Sequence, residues 1–122
     1  MAVKDLINTK KCLFICNGGS CLKKNAEEVT QSFRKLIKQN GLEDDYHTVR
    51  TKCIGRCDDA PVVLISPDNV WLKEVNTENC SNLLLEIETN RIEKSSHYLF
   101  KMGDNFIKSD SIPTKYINLK IY

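Results

Sequence analysis

Several features that would assign this chain to a common class are missing from its sequence. The first ten residues lack the continuous apolar stretch of a signal peptide, and no later run approaches the roughly 20 apolar residues of a membrane span. No C-x-x-C motif is present, so thiol–disulfide exchange is not expected. No Ser–His or paired-carboxylate arrangement stands out, and we predict no enzymatic activity of its own. We expect a cytoplasmic protein without a membrane partner.

The charge of the chain argues against another class of partner. The net charge is +2, and the excess of Lys and Arg lies in residues 91–122. Neither residues 1–90 nor residues 91–122 have the dense cluster of basic residues that is typical of a nucleic-acid binder. We therefore expect no nucleic-acid partner.

The sequence does contain cysteine, with six among its 122 residues. Apolar residues make up 41% of the chain. A chain of this length and composition can build one packed core without disulfides. In a reducing compartment, clustered cysteines more often bind metal than form disulfides. A secreted, disulfide-bonded domain is the alternative, and the absence of an export signal argues against it.

The apolar pattern predicts four strands in the first 90 residues. They cover residues 11–15, 46–52, 62–65 and 70–75. A turn at Pro67 joins the last two strands as a hairpin, and the helical segment between the first two suggests a parallel, right-handed crossover. The predicted fold class is therefore α/β, with a mixed four- to five-stranded sheet.

Two main helices are predicted to pack on this sheet. Asn25 caps the first helix, Glu28 completes a capping box, and Gly41 ends the helix. Asn76 or Thr77 caps the second helix, which carries an apolar face of its own.

The chain divides into a domain over residues 1–90 and a C-terminal extension over residues 91–122. In the extension, Ile117, Leu119 and Ile121 alternate with polar residues, which is a strand pattern with one buried face. A disordered basic tail is the alternative, but the segment is too apolar for it. We expect the extension to be ordered and to pack on the domain, at a sheet edge, or at a subunit interface.

Four of the cysteines form two spaced pairs. Cys16 and Cys21 form C-x4-C, and Cys53 and Cys57 form C-x3-C. Each pair follows a predicted strand, and parallel strands would bring both loops to one end of the sheet, where α/β folds tend to place their sites. Thiolates bind zinc, copper(I) or iron–sulfur clusters. The longer spacings favour a [2Fe–2S] cluster without excluding a zinc site.

Glycines between these cysteines suit a negatively charged cluster. Gly18, Gly19 and Gly55 allow the backbone to approach the sulfurs and to turn N–H groups towards them. Arg56, and more distantly Lys52, would add positive charge, although a solvent-facing loop residue is the alternative for Arg56.

The other two cysteines fit structural roles. Cys12 lies in the first predicted strand and Cys80 on the core face of the second predicted helix. A free cysteine often behaves as a small buried hydrophobe. The alternative is that either replaces a ligand or forms a disulfide.

Two segments resemble a known family. Residues 14–21, FICNGGSC, and residues 53–61, CIGRCDDAP, are similar to the thioredoxin-like [2Fe–2S] ferredoxins. The same pattern occurs in the 24-kilodalton subunit of respiratory complex I and in hydrogenase subunits. The resemblance covers roughly residues 11–88. It implies a thioredoxin-like fold, ligation by all four paired cysteines, low-potential electron transfer and frequent dimerisation, that is, a homodimer. The complex I subunits carry a helical segment ahead of this domain, whereas only about ten residues precede the first strand here, which suggests a free-standing protein.

The predicted function is that of a one-electron carrier with a single [2Fe–2S] cluster. The ligands would be Cys16, Cys21, Cys53 and Cys57, and the partners would be oxidoreductases that donate or accept electrons. The alternative is a structural or regulatory module in which the same four thiolates hold zinc or an air-sensitive sensor cluster. A domain that only docks onto a larger complex is a third reading.

Overall fold

A six-stranded mixed sheet forms the centre of the fold. The structure is a computed structural model and describes residues 6–102 and 106–108. The strands are β1 (Lys11–Cys16), β2 (Tyr46–Thr51), β3 (Val63–Ser66), β4 (Val70–Leu72), β5 (Tyr98–Met102) and β6 (Phe106–Lys108). They are ordered β2-β1-β3-β4-β5-β6 in the sheet. β1 and β2 run parallel and the other neighbours antiparallel, which confirms the predicted parallel pairing of the first two strands and the predicted hairpin.

Three α-helices accompany the sheet: α1 (Gly19–Lys23), α2 (Ala26–Gln39) and α3 (Cys80–Glu88). Short 3-10 turns cover Cys57–Asp59 and Ile92–Lys94. α2 and α3 confirm the two predicted main helices, whereas α1 lies where a loop was expected. The described helices include none that is long and apolar enough to cross a membrane.

The predicted start of α2 is wrong in its mechanism. Asn25 precedes the helix with φ of 69°, in the left-handed region, and its side chain makes no capping hydrogen bond. Because only Lys24 and Asn25 separate α1 from α2, the chain has to change direction within two residues, and asparagine tolerates the left-handed conformation better than most residues. The capping box with Glu28 is therefore not formed.

α3, the second of the two predicted helices, begins later than predicted. Its first residue is Cys80, and Asn79 occupies the capping position that was expected at Asn76 or Thr77. Asn76 and Asn79 instead exchange hydrogen bonds, each backbone N–H donating to the other's side-chain oxygen at 2.9 Å. Asn76 thus accepts from the backbone N–H three residues on, which is the capping hydrogen bond predicted for it, in a turn that immediately precedes the helix.

One face of the sheet packs against α2 and α3 and forms the main core. Its members are all apolar and at most 5% exposed; they include Leu13, Ile15, Val29, Phe33, Ile37, Val63, Ile65, Leu83 and Ile87. β1 and β3 alternate, so their intervening residues lie on the opposite face. There the strand register aligns a half-buried apolar row across the sheet: Phe14, Leu64, Trp71 and Phe100.

Part of the C-terminal extension belongs to the same sheet. β5 pairs antiparallel with β4, and Leu99 is fully buried. With β6, this raises the number of strands above the four or five predicted from the sequence. The strand predicted around residues 117–121 lies outside the described residues.

Candidate metal centre

The first cysteine segment, residues 16–21, begins at the end of β1. The Cys16 N–H donates to the Val62 carbonyl at 3.0 Å, and the Asn17 N–H donates to the Thr51 carbonyl at 2.8 Å. These bonds continue the sheet pairing beyond the strand and hold the segment in place. Cys21 follows on α1, and the two side chains are 3% and 2% exposed, respectively. The first pair of thiols is therefore buried.

The second cysteine segment, residues 53–57, begins just after β2 and is exposed. The Sγ atoms of Cys53 and Cys57 lie 3.5 Å apart. Gly55 has φ of +91°, a conformation that favours glycine, and its N–H donates to Cys53 Sγ at 3.4 Å. The segment thus already presents a backbone donor to one of its sulfurs.

The two cysteine segments touch each other. Cys16 Sγ donates to the Lys52 carbonyl at 3.7 Å. A Cβ atom on Gly18 would lie 2.7 Å from both Cα and Cβ of Cys53. Glycine is therefore required at this position for close packing of one backbone segment on the other. This contact brings the buried pair and the exposed pair together at one end of the sheet.

The environments of the thiols differ. Burial raises the pKa of Cys21 to about 11, and the nearby Cys16 and Cys57 thiols act in the same direction. The Gly55 N–H and the Cys57 thiol lower the pKa of Cys53. Because the thiolate is the form that binds metal, ligation by Cys21 would require the loss of its thiol proton. In the described part of the chain, no three His, Cys, Asp or Glu side chains already surround a point as ligands of one ion.

Gly19 has a different surrounding from Gly18. A Cβ atom there would have no heavy atom within 4 Å, so no close approach requires glycine at this position. Gly19 is the first residue of α1, and its predicted contact with the cluster stays a prediction.

Arg56 is not the solvent-facing residue of the alternative interpretation. Its Nε and Nη2 donate to Asp59 Oδ2 at 2.8 and 2.6 Å, and its guanidinium lies 5.7 Å from the ring centroid of Phe100. The predicted positive charge is thus held between a carboxylate and an aromatic ring. Phe100 was not predicted from the sequence as part of the site; its alternation with the buried Leu99 was the available signal.

The remaining candidate residues have structural contacts. Cys80 is fully buried in the main core, and its thiol donates to the Asn76 carbonyl. Cys12 is half-buried in β1. His97 Nδ1 donates to the Lys73 carbonyl at 3.0 Å, which leaves Nε2 to accept from the Asn79 side chain.

Comparison with known proteins shows the family of the chain. The thioredoxin-like [2Fe-2S] ferredoxin family matches residues 7–88, which is more than half of the chain. The chain belongs to this family. The family's cofactor is a [2Fe–2S] cluster, and the soft thiols, the sulfur-directed Gly55 N–H and the close approach at Gly18 fit such a group.

Two relatives show how far the similarity extends. A protein of Priestia megaterium whose name assigns it to the 2Fe-2S ferredoxins is 43% identical over 82 residues, 67% of this chain and 63% of its own length. The chain therefore matches less than two thirds of that relative. A 2Fe-2S ferredoxin of Clostridium pasteurianum is 26% identical over 87 residues, covering 65% of this chain and 85% of that protein.

Solved structures place the chain in the same family. A thioredoxin-like [2Fe-2S] ferredoxin from Aquifex aeolicus is 28% identical with a TM-score of 0.61, covering 64% of this chain and 84% of that one. A second Aquifex aeolicus structure of this description has a TM-score of 0.65 at 22% identity and covers 89% of this chain and 99% of the other. This second match concerns the fold alone and confirms the predicted thioredoxin-like architecture.

Proposed function

We propose that this ferredoxin-family chain is a one-electron carrier with one [2Fe–2S] cluster, ligated by Cys16, Cys21, Cys53 and Cys57. The observation that supports it best is the contact between the two cysteine segments at Gly18, where a Cβ would meet Cys53 at 2.7 Å. This packing holds a buried and an exposed thiol pair together. A two-iron cluster uses cysteines in the same way, two for each iron.

When bound, the cluster accepts and returns a single electron. The chain's own groups would prepare the site for this change of charge. The Gly55 N–H donates to Cys53 Sγ and stabilises negative charge on the sulfur. Burial of Cys16 and Cys21 keeps water from one side, whereas the exposed Cys53 and Cys57 lie where a partner protein can approach.

The proposed partners are oxidoreductases that exchange electrons at this exposed side, and the proposed location is the cytoplasm. We assign the chain no catalytic activity of its own, because the described cysteines serve as ligands or core residues in this proposal. A homodimer is proposed from the family resemblance alone.

Anaerobic purification followed by absorption spectroscopy tests the cofactor and its ligands together. We expect coloured protein with visible absorption that dithionite bleaches. Substitution of serine for any of the four proposed ligands should abolish or strongly change this spectrum. Cys80→Ser and Cys12→Ser are the matched controls and should leave it intact.

Two results would contradict the proposal. Colourless protein with one bound zinc ion would favour the structural module instead. A Cys21→Ser protein that kept its spectrum, with a Cys80→Ser protein that lost it, would refute the ligand assignment.

The reduction potential provides a second test of the same proposal. Ligation by four thiolates keeps more negative charge on a cluster than ligation by two neutral histidines. We therefore expect a potential nearer the value of about −400 mV for plant-type clusters than the range from about −150 mV upward for Rieske centres. A positive potential in voltammetry would contradict the ligand set.

A further inference from the structure

An aromatic side chain of the C-terminal extension reaches the cysteine end of the sheet. Phe100 of β5 is paired in register with Trp71 of β4, and the ring centroids lie 5.2 Å apart at 48°. Trp71 in turn packs against the buried group that contains Cys16, Cys21 and Val62. β5 is therefore connected to the buried pair of thiols through two aromatic rings.

The same ring also contacts the exposed segment. The Arg56 guanidinium lies 5.7 Å from the Phe100 centroid, within the range of a cation–π interaction of about 6 Å. On its other side Arg56 donates twice to Asp59 Oδ2. The side chains of Arg56 and Asp59 are 35% and 18% exposed. A flexible cation is thereby held from two sides, immediately before Cys57.

We propose that Phe100 is a positioning residue of the cluster site, which fixes the Arg56 guanidinium beside the second cysteine segment and thereby raises the reduction potential. The inference rests on the proposed one-electron function. Reduction adds one negative charge to the site, and a cation held nearby stabilises the reduced form more than the oxidised form. Asp59 anchors Arg56, so loss of Arg56 would also leave a carboxylate without its partner.

Voltammetry of the cluster-loaded full chain at neutral pH tests this role. Arg56→Gln should lower the potential, because it removes the cation and leaves Asp59 uncompensated. Arg56→Lys keeps the charge without the planar stacking surface and should give an intermediate value. Phe100→Leu and Phe100→Met should lower the potential by less than Arg56→Gln, whereas Phe100→Tyr retains the ring and should preserve the wild-type value.

Two controls separate positioning from general effects. Lys101→Gln removes a positive charge from the same strand, but Lys101 pairs with Glu93 at 2.9 Å, and strand alternation directs it away from Phe100. We expect this variant to keep the wild-type potential. In an Arg56→Gln background, Phe100→Leu should cause no further shift, because the group that it positions is gone.

The outcomes distinguish this inference from the proposed function. Wild-type protein without a visible spectrum or a reversible wave would refute the proposed function itself. A normal wild-type wave that does not change in Arg56→Gln would overturn only the role of Arg56 and Phe100. A Phe100→Leu or Phe100→Met shift of equal size with and without Arg56 would show that the ring acts independently and would also overturn the inference.

Discussion

Gly18 and Gly19 are adjacent, yet the packing around them is different. An added Cβ at Gly18 meets backbone and side-chain atoms of Cys53 at 2.7–2.8 Å, whereas one at Gly19 meets nothing within 4 Å. Backbone atoms cannot move aside as the end of a flexible side chain can. The two positions therefore allow a matched pair of substitutions that differ only in this contact.

We expect Gly18→Ala to push the two cysteine segments apart and to reduce cluster incorporation severalfold. Iron content and the visible spectrum of anaerobically purified protein measure this effect. Gly19→Ala lies at the first position of α1 and should load the cluster as the wild type does. Equal loading of the two variants would show that the close approach at Gly18 is not needed for the site.

At the residue scale, sequence patterns identified the cysteine pairs more readily than their surroundings. Pair spacing and flanking glycines are local and visible in a sequence. The contact between Gly18 and Cys53 joins residues far apart in the chain, and only the packing of the two segments reveals it. The ring of Phe100 over Arg56 is hidden for the same reason.

At the scale of elements, an ion pair connects the start of α2 to β2. Arg50 Nε and Nη2 each donate to a different oxygen of Glu27 at 2.7 Å. Glu27 lies in the first turn of α2, where a carboxylate also interacts favourably with the helix dipole. The hydrogen bonds from Arg50, and then that from Gln31, lower the pKa of Glu27 to about 2.

The sign of this shift predicts how stability depends on pH. Because the pKa of Glu27 is lower in the folded protein than its ordinary value of 4.5, its contribution is fully present above about pH 4.5 and is lost as the pH falls towards 2. The free energy of unfolding of cluster-free wild type should exceed that of Glu27→Gln by more at pH 7 than at pH 3. Urea unfolding measures both differences.

The control for this pair removes its other member. In an Arg50→Gln background, Glu27→Gln should have a much smaller pH-dependent effect, since the bidentate partner is absent. A pH dependence of the same size in both backgrounds would show that the stabilisation does not come from Arg50.

A second connection between elements joins β2 to α3. The buried Tyr46 hydroxyl donates to Glu88 Oε1. Burial, and then this carboxylate, raise the pKa of Tyr46, so the phenol stays protonated and remains a donor. We expect Tyr46→Phe to lower the free energy of unfolding by about 1 kcal/mol, measured by urea unfolding.

Glu88→Gln tests whether this loss comes from the hydrogen bond. The amide retains an oxygen that accepts from Tyr46 and should cost less than Tyr46→Phe. The double variant should be less stable than Tyr46→Phe by at most a few tenths of a kcal/mol. Fully additive losses would mean that the two side chains do not act as a pair.

The elements themselves were largely predictable, but some of their ends were not: β4 ends at Leu72 rather than at residue 75, and α3 begins at Cys80. Apolar periodicity located β1 to β4 and both main helices, because these segments bury one regular face. The predicted capping residues Asn25 and Asn76 do lie at the helix starts, but their contacts depend on neighbouring residues that the periodicity does not show. Asn25 adopts a left-handed conformation to follow α1, and Asn79 pairs with Asn76 in a preceding turn.

At the scale of the whole molecule, the division into a domain over residues 1–90 and an extension is predicted from the sequence pattern alone. It takes no account of how the strands pack. Family similarity ends at residue 88, yet β5 continues the sheet beyond it. The segment is short and its partner strand, β4, has only three residues. The sequence of neither β4 nor β5 predicts this pairing, because each strand is stable only when the other is present.

Truncation after Arg91 tests whether the extension stabilises the fold. It removes Ile92 from the main core and the fully buried Leu99, and it leaves β4 as an exposed edge. An exposed edge strand invites pairing with other chains. We expect a shortened protein that is several kcal/mol less stable, more sensitive to proteolysis and prone to association in size-exclusion chromatography.

A second truncation after Lys108 retains every described strand, so the difference between the two proteins isolates the contribution of β5, β6 and Ile92. If the protein that ends at Arg91 matches the longer one in stability, protease resistance and elution, these strands are dispensable and the structural role of the extension is refuted.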